Sequence, residues 1–292
     1  MMPSRMRCAC VDIGSNTTRL LVGERVGAEL RVLAGDRRFL PLACAADGDI
    51  PAADVRELAA VVAEQVERAH AHGCTRVRAV ATAAVRQAGN RAALCAAVTA
   101  AAGVPVEVLG EAEEAAFAFA GATAGVGGDG PVGVIDVGGG SSELVCGTPG
   151  GGVAWWTSIP LGSGGLTARH VRADPPAPAE LDRVRAEVTA ALAGVRPPES
   201  AHALAVGGSA MSLRRVAGEE LTAAAIAAAL ATLAELPAEV AALHFGVDPR
   251  RARLMPAGLL LLQAAWNALG AVPLRLAAGG LREGVLLREL AA

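Results

Sequence analysis

Two acidic residues, Asp12 and Asp136, each end an apolar run and are followed by a turn of small residues. The first segment reads V-D-I-G-S-N-T-T-R-L-L-V from Val11 to Val22. The second reads I-D-V-G-G-G-S-S-E-L-V-C from Ile135 to Cys146, and the two stay in step at every position. Each is the pattern of a β-hairpin whose tip offers backbone N–H groups and hydroxyls in place of bulk. Such tips cradle phosphate oxygens, and an Asp at the strand end can hold a hydrated cation beside them. In the first tip Gly14 admits a phosphate close to the backbone and Ser15, Asn16 and Thr17 donate hydrogen bonds. Asp12 stands beside that phosphate and reaches a metal through water. In the second tip Gly138, Gly139 and Gly140 are costly to order. A plain hairpin needs one or two glycines, so three predict that something comes very close to the backbone, with Ser141 and Ser142 adding hydroxyls. Asp136 and Glu143 flank this tip, and strand alternation can bring both carboxylates to it, an arrangement suited to Mg²⁺. Taken alone, Glu143 reads as a solvated turn charge.

Three further groups carry chemistry. Gly207, Gly208 and Ser209 lie between a strand and a helix; they read either as a phosphate or nucleoside site at a helix N-terminus or as a simple strand-to-helix turn. Arg86, just after a strand end, can make a forked contact to a terminal phosphate, or a surface salt bridge. Glu111, Glu113 and Glu114 open a helix. Compensation of the helix dipole accounts for one or two of them, and one, with Glu114 favoured, can act as a base that activates water. Residue chemistry does not choose among the three. The histidines show no ligand spacing; His70 and His72 read as a solvated pair near a helix end.

The elements that must position these groups alternate. Three strands over 7–33 lead to a helix over 52–72, a strand over 77–82, a helix over 91–102, a strand over 104–109 and a helix from Glu111. A glycine-rich link over 121–130 interrupts, and three strands begin again at Val132. Helices are expected over 178–192, 221–233, 257–269 and 284–290, with strands at 204–206 and 274–277. Such alternation builds α/β layers. The repeated start predicts two similar lobes, 1–121 and 122–280, with a cleft between them into which both tips point.

Composition narrows the classes. The 292 residues are 53% hydrophobic but only 2% aromatic, so the cores must pack with aliphatic side chains; the formal charge of −3 argues against a general nucleic-acid binder. No Lys occurs, so every basic side chain is Arg. None of the six cysteines forms a C-x-x-C pair, and Cys8 and Cys10 read as buried, reduced strand residues, which speaks against zinc. The N-terminus shows no secretory pattern. The apolar stretch 254–272 contains Pro256, Gly258, Gln263 and Asn267 and reads as a buried helix, not a membrane span. A soluble, cytoplasmic protein is expected.

In this order, the motifs V-D-I-G-S-N-T-T-R-L, A-T-A-A-V-R-Q-A-G-N, E-E-A-A-F-A-F-A-G-A, I-D-V-G-G-G-S-S-E-L, I-P-L-G-S-G-G-L-T, A-V-G-G-S-A and A-A-G-G-L-R-E-G resemble the Ppx/GppA (exopolyphosphatase / guanosine pentaphosphate phosphohydrolase) family over nearly the whole chain. The resemblance implies two ribonuclease-H-like lobes of the actin-like ATPase superfamily. It makes Glu114 the catalytic base, Arg86 a phosphate contact, and Asp136 with Glu143 the magnesium site. It also implies that 279–284 is the crossover returning a C-terminal helix, 281–292, to the first lobe. The chain departs from the family pattern at Glu111, which stands where a Gly is usual, at 250–256, which lacks an Asp, and across 37–49. Longer relatives carry further helical domains, so a two-lobe form suits short chains or small nucleotides.

The expectation is therefore a Mg²⁺-dependent phosphoanhydride hydrolase acting on inorganic polyphosphate or on the 5′-phosphate of pppGpp, with no nucleic-acid or membrane partner. Apolar helices in the second lobe and family habit point to a homodimer. A phosphotransferase, and a non-catalytic sensor of (p)ppGpp or polyphosphate, are the competing classes.

Overall fold

The computed structural model describes residues 6–27, 29–46 and 48–291. Part of the N-terminal stretch read for a secretory pattern, and Asp47 within 37–49, lie outside the described residues. The chain divides into two compact units, Met1–Gly125 with Leu281–Ala292, and Val126–Gly280. The division falls at 125/126, not at 121/122, because the helix opened by Glu111 runs on to Thr123.

In the first unit the elements are β1 (Arg7–Ile13), β2 (Thr17–Val26), β3 (Glu29–Phe39), α1 (Ala52–Ala71), β4 (Arg76–Ala81), α2 (Ala83–Gln87), α3 (Arg91–Ala102), β5 (Val106–Val108) and α4 (Glu111–Thr123). Its sheet runs β3-β2-β1-β4-β5, with β1–β2–β3 antiparallel and β1–β4–β5 parallel. The alternation of β1 is read on both faces. Ala9, Val11 and Ile13 pack under α1 and α3, while Cys8 and Cys10 pack with Phe117 of α4 and the last helix of the chain. The cysteines are therefore buried for packing, and all six are free thiols.

The second unit repeats the plan with β6 (Val132–Val137), β7 (Ser142–Thr148), β8 (Gly152–Ile159), α5 (Ser163–His170), α6 (Pro178–Leu192), β9 (His202–Val206), α7 (Gly207–Met211), α8 (Arg214–Ala217), β10 (Glu220–Leu221), α9 (Ala223–Glu235), α10 (Ala238–Phe245), α11 (Pro249–Ala268) and β11 (Leu274–Leu276). Its order, β10-β11-β9-β6-β7-β8, again sets parallel strands, β9 and β11, beside an antiparallel β6–β7–β8 meander, with β10 antiparallel at the far edge. Both are ribonuclease-H-like units. The final helix, α12 (Leu281–Ala291), belongs to the first unit.

Two boundaries differ from the sequence reading by more than five residues. Strand β3 reaches Phe39 because it stays paired with β2 as far as Thr17. Helix α11 begins at Pro249, capped by the Asp248 side chain, and carries Pro256 inside it. An internal proline forfeits a backbone hydrogen bond, but from Leu254 to Leu262 every α11 residue is buried, and that packing holds the turn. The apolar run at 254–272 is thus a core helix, and among the described residues no helix is long and apolar enough to cross a membrane.

Helix α1 ties to the sheet through a polar contact as well as its Leu58, Val62 and Val66 stripe. Buried Gln65 donates from Nε2 to the Thr18 carbonyl at 3.3 Å and to Asp36 Oδ2 at 3.1 Å. Asp36 also accepts from Arg38 at 3.2 Å and Arg68 at 2.9 Å. Burial pushes the Asp36 carboxyl up, but these three donors outweigh it and hold it below its ordinary value. A lowered folded-state value contributes stability that is present above the unfolded value and lost as pH falls through the folded one. Asp36→Asn is therefore expected to cost about 1–2 kcal/mol at neutral pH. Urea unfolding of both proteins checks this: the difference must shrink toward pH 3.

Candidate active site

Both tips close with the same turn. In the first, the Gly14 N–H donates to the Thr17 carbonyl at 3.1 Å; in the second, the Gly138 N–H donates to the Ser141 carbonyl at 3.0 Å. A Cβ at Gly138 would stand 2.7 Å from the Ser141 oxygen, so the turn itself requires glycine there. Ser15 and Asn16 are half-buried at the first tip, and Thr17 is buried. The carbonyls of Ser15 and Asn16 are taken by the N–H groups of Leu42 and Leu40, so the weakly matching stretch 37–49 continues β3 as a buttress of this tip. Asn90 closes the buttress, accepting from the Ile50 N–H at 3.1 Å and donating to its carbonyl at 2.8 Å.

The second tip is also approached by the protein's own chain. Gly162 lies against Gly139 and Gly140, where any Cβ would stand only 2.5 Å from the Gly140 nitrogen, and the Ser163 and Gly164 N–H groups donate to the Gly138 and Gly139 carbonyls at 3.0 Å. Of the hydroxyls expected to bind phosphate, one is committed elsewhere and another is enclosed without a hydrogen-bond partner among the described residues. Ser142 Oγ donates to the Leu161 carbonyl at 2.8 Å. Ser209 is fully enclosed, packed on Gly258. Ser141 is buried too.

The third glycine site is a close-packed turn. Gly207 has φ +85°, and a Cβ there would stand 2.5 Å from the Val137 oxygen and 2.8 Å from Asp136 Oδ1. Gly208 faces the guanidinium of Arg251, and a Cβ on it would stand 2.6 Å from Cζ. Helix α7 has only five residues, and its first turn packs backbone against Asp136 and buried Arg251.

Register makes the two tips chemically unequal. Asp12 of β1 faces Arg19 of β2, and at the equivalent place Asp136 of β6 faces Glu143 of β7. Directly opposed residues share a sheet face with Cβ atoms about 5 Å apart. The first unit thus sets a carboxylate beside a guanidinium whose Nε also donates to Thr17 Oγ1 at 3.3 Å. The second sets two carboxylates together, a like-charge pair that is relieved by a proton on one of them or by a cation beside both. Glu143 is 1% exposed and accepts from Ser158 Oγ at 2.9 Å, so it is no solvated turn charge.

The three acids of α4 separate cleanly. Glu113 accepts from the Gly110 N–H at 3.1 Å and caps its own helix. Glu111 is exposed. Glu114 is buried and accepts from Arg86 Nη1 at 2.8 Å, while that nitrogen also donates to the Leu109 carbonyl at 3.0 Å. The other nitrogen of the fork, Nη2, is buried and has no hydrogen-bond partner among the described residues. A buried donor left unmade is costly, and an anionic oxygen would satisfy it. Arg86 reaches this place because α2 starts at the end of β4, where the Thr82 N–H is held by the Ile13 carbonyl at 3.2 Å.

Burial pushes the Glu114 carboxyl up; Arg86 pulls it back, and Asp12 and Glu111 push it further up, leaving it above its ordinary value. Asp12 is likewise raised by burial, against the pull of Arg282 and Arg19. Asp12, Arg19, Arg86, Glu114 and Arg282 therefore make one electrostatic group within the first unit. Arg19, Arg282 and Arg251 were not picked out from sequence. The signal available for Arg19 was its alignment with Glu143 in the repeated segment.

Among the described residues no group of three or more His, Cys, Asp or Glu side chains could hold a metal ion. Asp136 and Glu143 supply two carboxylates, which suits an ion that keeps most of its waters and takes its other ligands from a phosphate, as Mg²⁺ does, and does not suit a closed zinc or calcium cage.

The model for the Ppx/GppA phosphatase family matches residues 24–292. An uncharacterized protein of Streptomyces coelicolor is 31% identical, over 98% of this chain and 90% of its own length. Exopolyphosphatase 1 of Mycobacterium tuberculosis is 30% identical, over 98% of this chain and 88% of its own length. The crystal structure of the Aquifex aeolicus member of the Ppx/GppA protein family superposes with a TM-score of 0.82 at 28% identity, covering 99% of this chain and 98% of that one.

Proposed function

Because the chain belongs to the Ppx/GppA phosphatase family, we propose that it hydrolyses the terminal phosphoanhydride bond of inorganic polyphosphate, releasing orthophosphate, with the 5′-phosphate of pppGpp as the rival substrate. The observation that carries this reading is the buried Glu114 held by one nitrogen of Arg86 while the other nitrogen lacks a partner among the described residues. That pair offers a base and an oxyanion ligand side by side. The names of relatives such as the M. tuberculosis exopolyphosphatase support the substrate class.

Glu114 accepts a proton from the attacking water, whose oxygen bonds to the terminal phosphorus as the bridging P–O bond breaks and its electron pair leaves with the shortened chain. Arg86 Nη2 neutralises the developing charge on the terminal phosphate. The backbone turn at Gly14 supplies neutral donors. Catalysis of this kind is mostly positioning and electrostatics. Asp136 and Glu143 are the residues that would hold Mg²⁺, which when bound offsets phosphate charge.

Phosphate release from tripolyphosphate, longer chains and pppGpp is the test, in the presence and absence of metal. Release is expected to fall to background with EDTA and to return on adding Mg²⁺. Full activity after exhaustive chelation would remove the metal from the reading, and no release from any of the substrates would remove the hydrolase.

A further inference from the structure

A second cluster of guanidinium groups stands beside this site. Asp12, Arg19 and Arg37 face one another in sequence across β1, β2 and β3, so they form a row on one sheet face. It is the face that α12 covers, since Cys8, Cys10 and Leu21 alternate onto it and pack against Val285 and Leu286. At the end of that row Arg282, in the first turn of α12, acts electrostatically on Asp12. Arg19, Arg37 and Arg282 together line a pocket of about 300 Å³. Gly35, which faces Leu21 across the ladder and brings no side chain, also lines it.

The charge in this pocket is unbalanced. Like charges directly opposite in a sheet are destabilising, yet Arg19 faces Arg37. Asp36 also lines the pocket, but its carboxylate is engaged by Arg38, Arg68 and Gln65. Asp12 and Glu283 lie at the Arg282 end. Arg37, at the outer end, is exposed and has no hydrogen-bonded or ionic partner among the described residues. Guanidinium groups spread along a small pocket match an extended polyanion better than a single phosphate, with the unpartnered Arg37 fork able to take oxygens beyond those near Arg19 and Arg282.

We infer that this pocket binds the phosphates next to the one that is cleaved, with Arg37 as its outermost contact. The guest is a run of at least two anhydride-linked phosphates, from a polyphosphate chain or from the 5′ end of a guanosine polyphosphate. The inference rests on the hydrolase reading above. It assigns substrate recognition to a residue of the stretch 37–49, where the family resemblance is weakest.

Calorimetric titration of Glu114→Gln protein, used to suppress turnover, is compared with the Glu114→Gln/Arg37→Gln double variant, using orthophosphate, tripolyphosphate and pppGpp as probes. Losing one charge-assisted contact predicts a Kd about tenfold weaker for a probe with linked phosphates, and less than a twofold change for orthophosphate. A loss confined to tripolyphosphate assigns the pocket to the inorganic chain, and one confined to pppGpp assigns it to the nucleotide; either supports the inference. Unchanged affinities, or equal losses for orthophosphate and the longer probes, overturn it. Thermal melting controls for folding: replacing exposed Arg37, which faces the like charge of Arg19, should leave the Tm where it is or raise it. If wild-type protein turns over and Arg37→Gln binds normally, the pocket fails and the hydrolase stands. If wild-type protein releases no phosphate yet the tenfold loss appears, the hydrolase fails and the pocket stands.

Discussion

Glu114→Gln lowers kcat for phosphate release by about 10²–10⁴-fold, the range for removing a positioned general base. Glutamine keeps the shape and still accepts from Arg86 Nη1, so the 2.8 Å contact that orients the guanidinium survives while the basicity is gone. Binding of tripolyphosphate should persist, and this separates a hydrolase from a sensor, whose low background would not change. The pH profile gives a second readout. Burial holds the Glu114 carboxyl above its ordinary value, and the base acts only when ionised. Activity must therefore fall with decreasing pH at a higher pH than an exposed glutamate, near 4.3, would give. The stability sign runs the opposite way: a raised folded-state value contributes stability below the unfolded value that is lost as pH rises through the folded one. An acid limb that stays in place in the variant, or phosphate release at the wild-type rate, would exclude Glu114 as the base.

The division of labour between the tips shows what a sequence can carry. The repeated apolar–Asp–glycine segment was sufficient to expect two equivalent α/β units, because strand ends and tight turns leave local marks. Composition sufficed to set aside the apolar stretch around Leu254–Leu262 as a core helix. The choice among Glu111, Glu113 and Glu114 could not be made in the same way. All three share the first turn of α4, and only the tertiary position of Arg86 distinguishes the buried acid from the capping one. Glycine was the most ambiguous letter. At the second tip Gly162 and the start of α5 lie against Gly139 and Gly140, and a residue contacting its own chain looks, in sequence, like one awaiting a ligand. Short helices such as α2, α5 and α8 were missed for a related reason: one or two turns carry too little periodicity, and they are held by contacts remote in sequence. The facing of Arg19 and Arg37 was equally hidden, since β2 and β3 pair through an irregularity at Val22/Gly23 that shifts the register.

Gly284→Ala is expected to produce the largest loss of stability of any single methyl addition argued for this chain. In a solvent-exposed helix interior the same change would stabilise, by about 1 kcal/mol, because alanine is the better helix former. Here the sign reverses. Gly284 of α12 lies against the backbone of α4, where a Cβ would overlap the Phe117 carbonyl oxygen and stand 2.7 Å from its carbon. The obstacle is main chain, which cannot rotate away, so one helix must move off the other. Overpacking against main chain lies at the upper end of about 1–3 kcal/mol, which outweighs the propensity gain and leaves a net loss that corresponds to a Tm lower by roughly 5 °C. Gly165→Ala in α5 is the matched control: its Cβ would meet only the flexible end of Arg169, at 3.2 Å, and the Tm should hold or rise. The effect reaches the site as well, because α12 carries Arg282 two residues before Gly284, at the row that begins with Asp12. Displacing α12 should therefore raise KM for tripolyphosphate along with lowering Tm. A Gly284→Ala protein that melts with the wild type would show that α12 does not pack on α4 at this distance, and would withdraw Arg282 from the pocket with it.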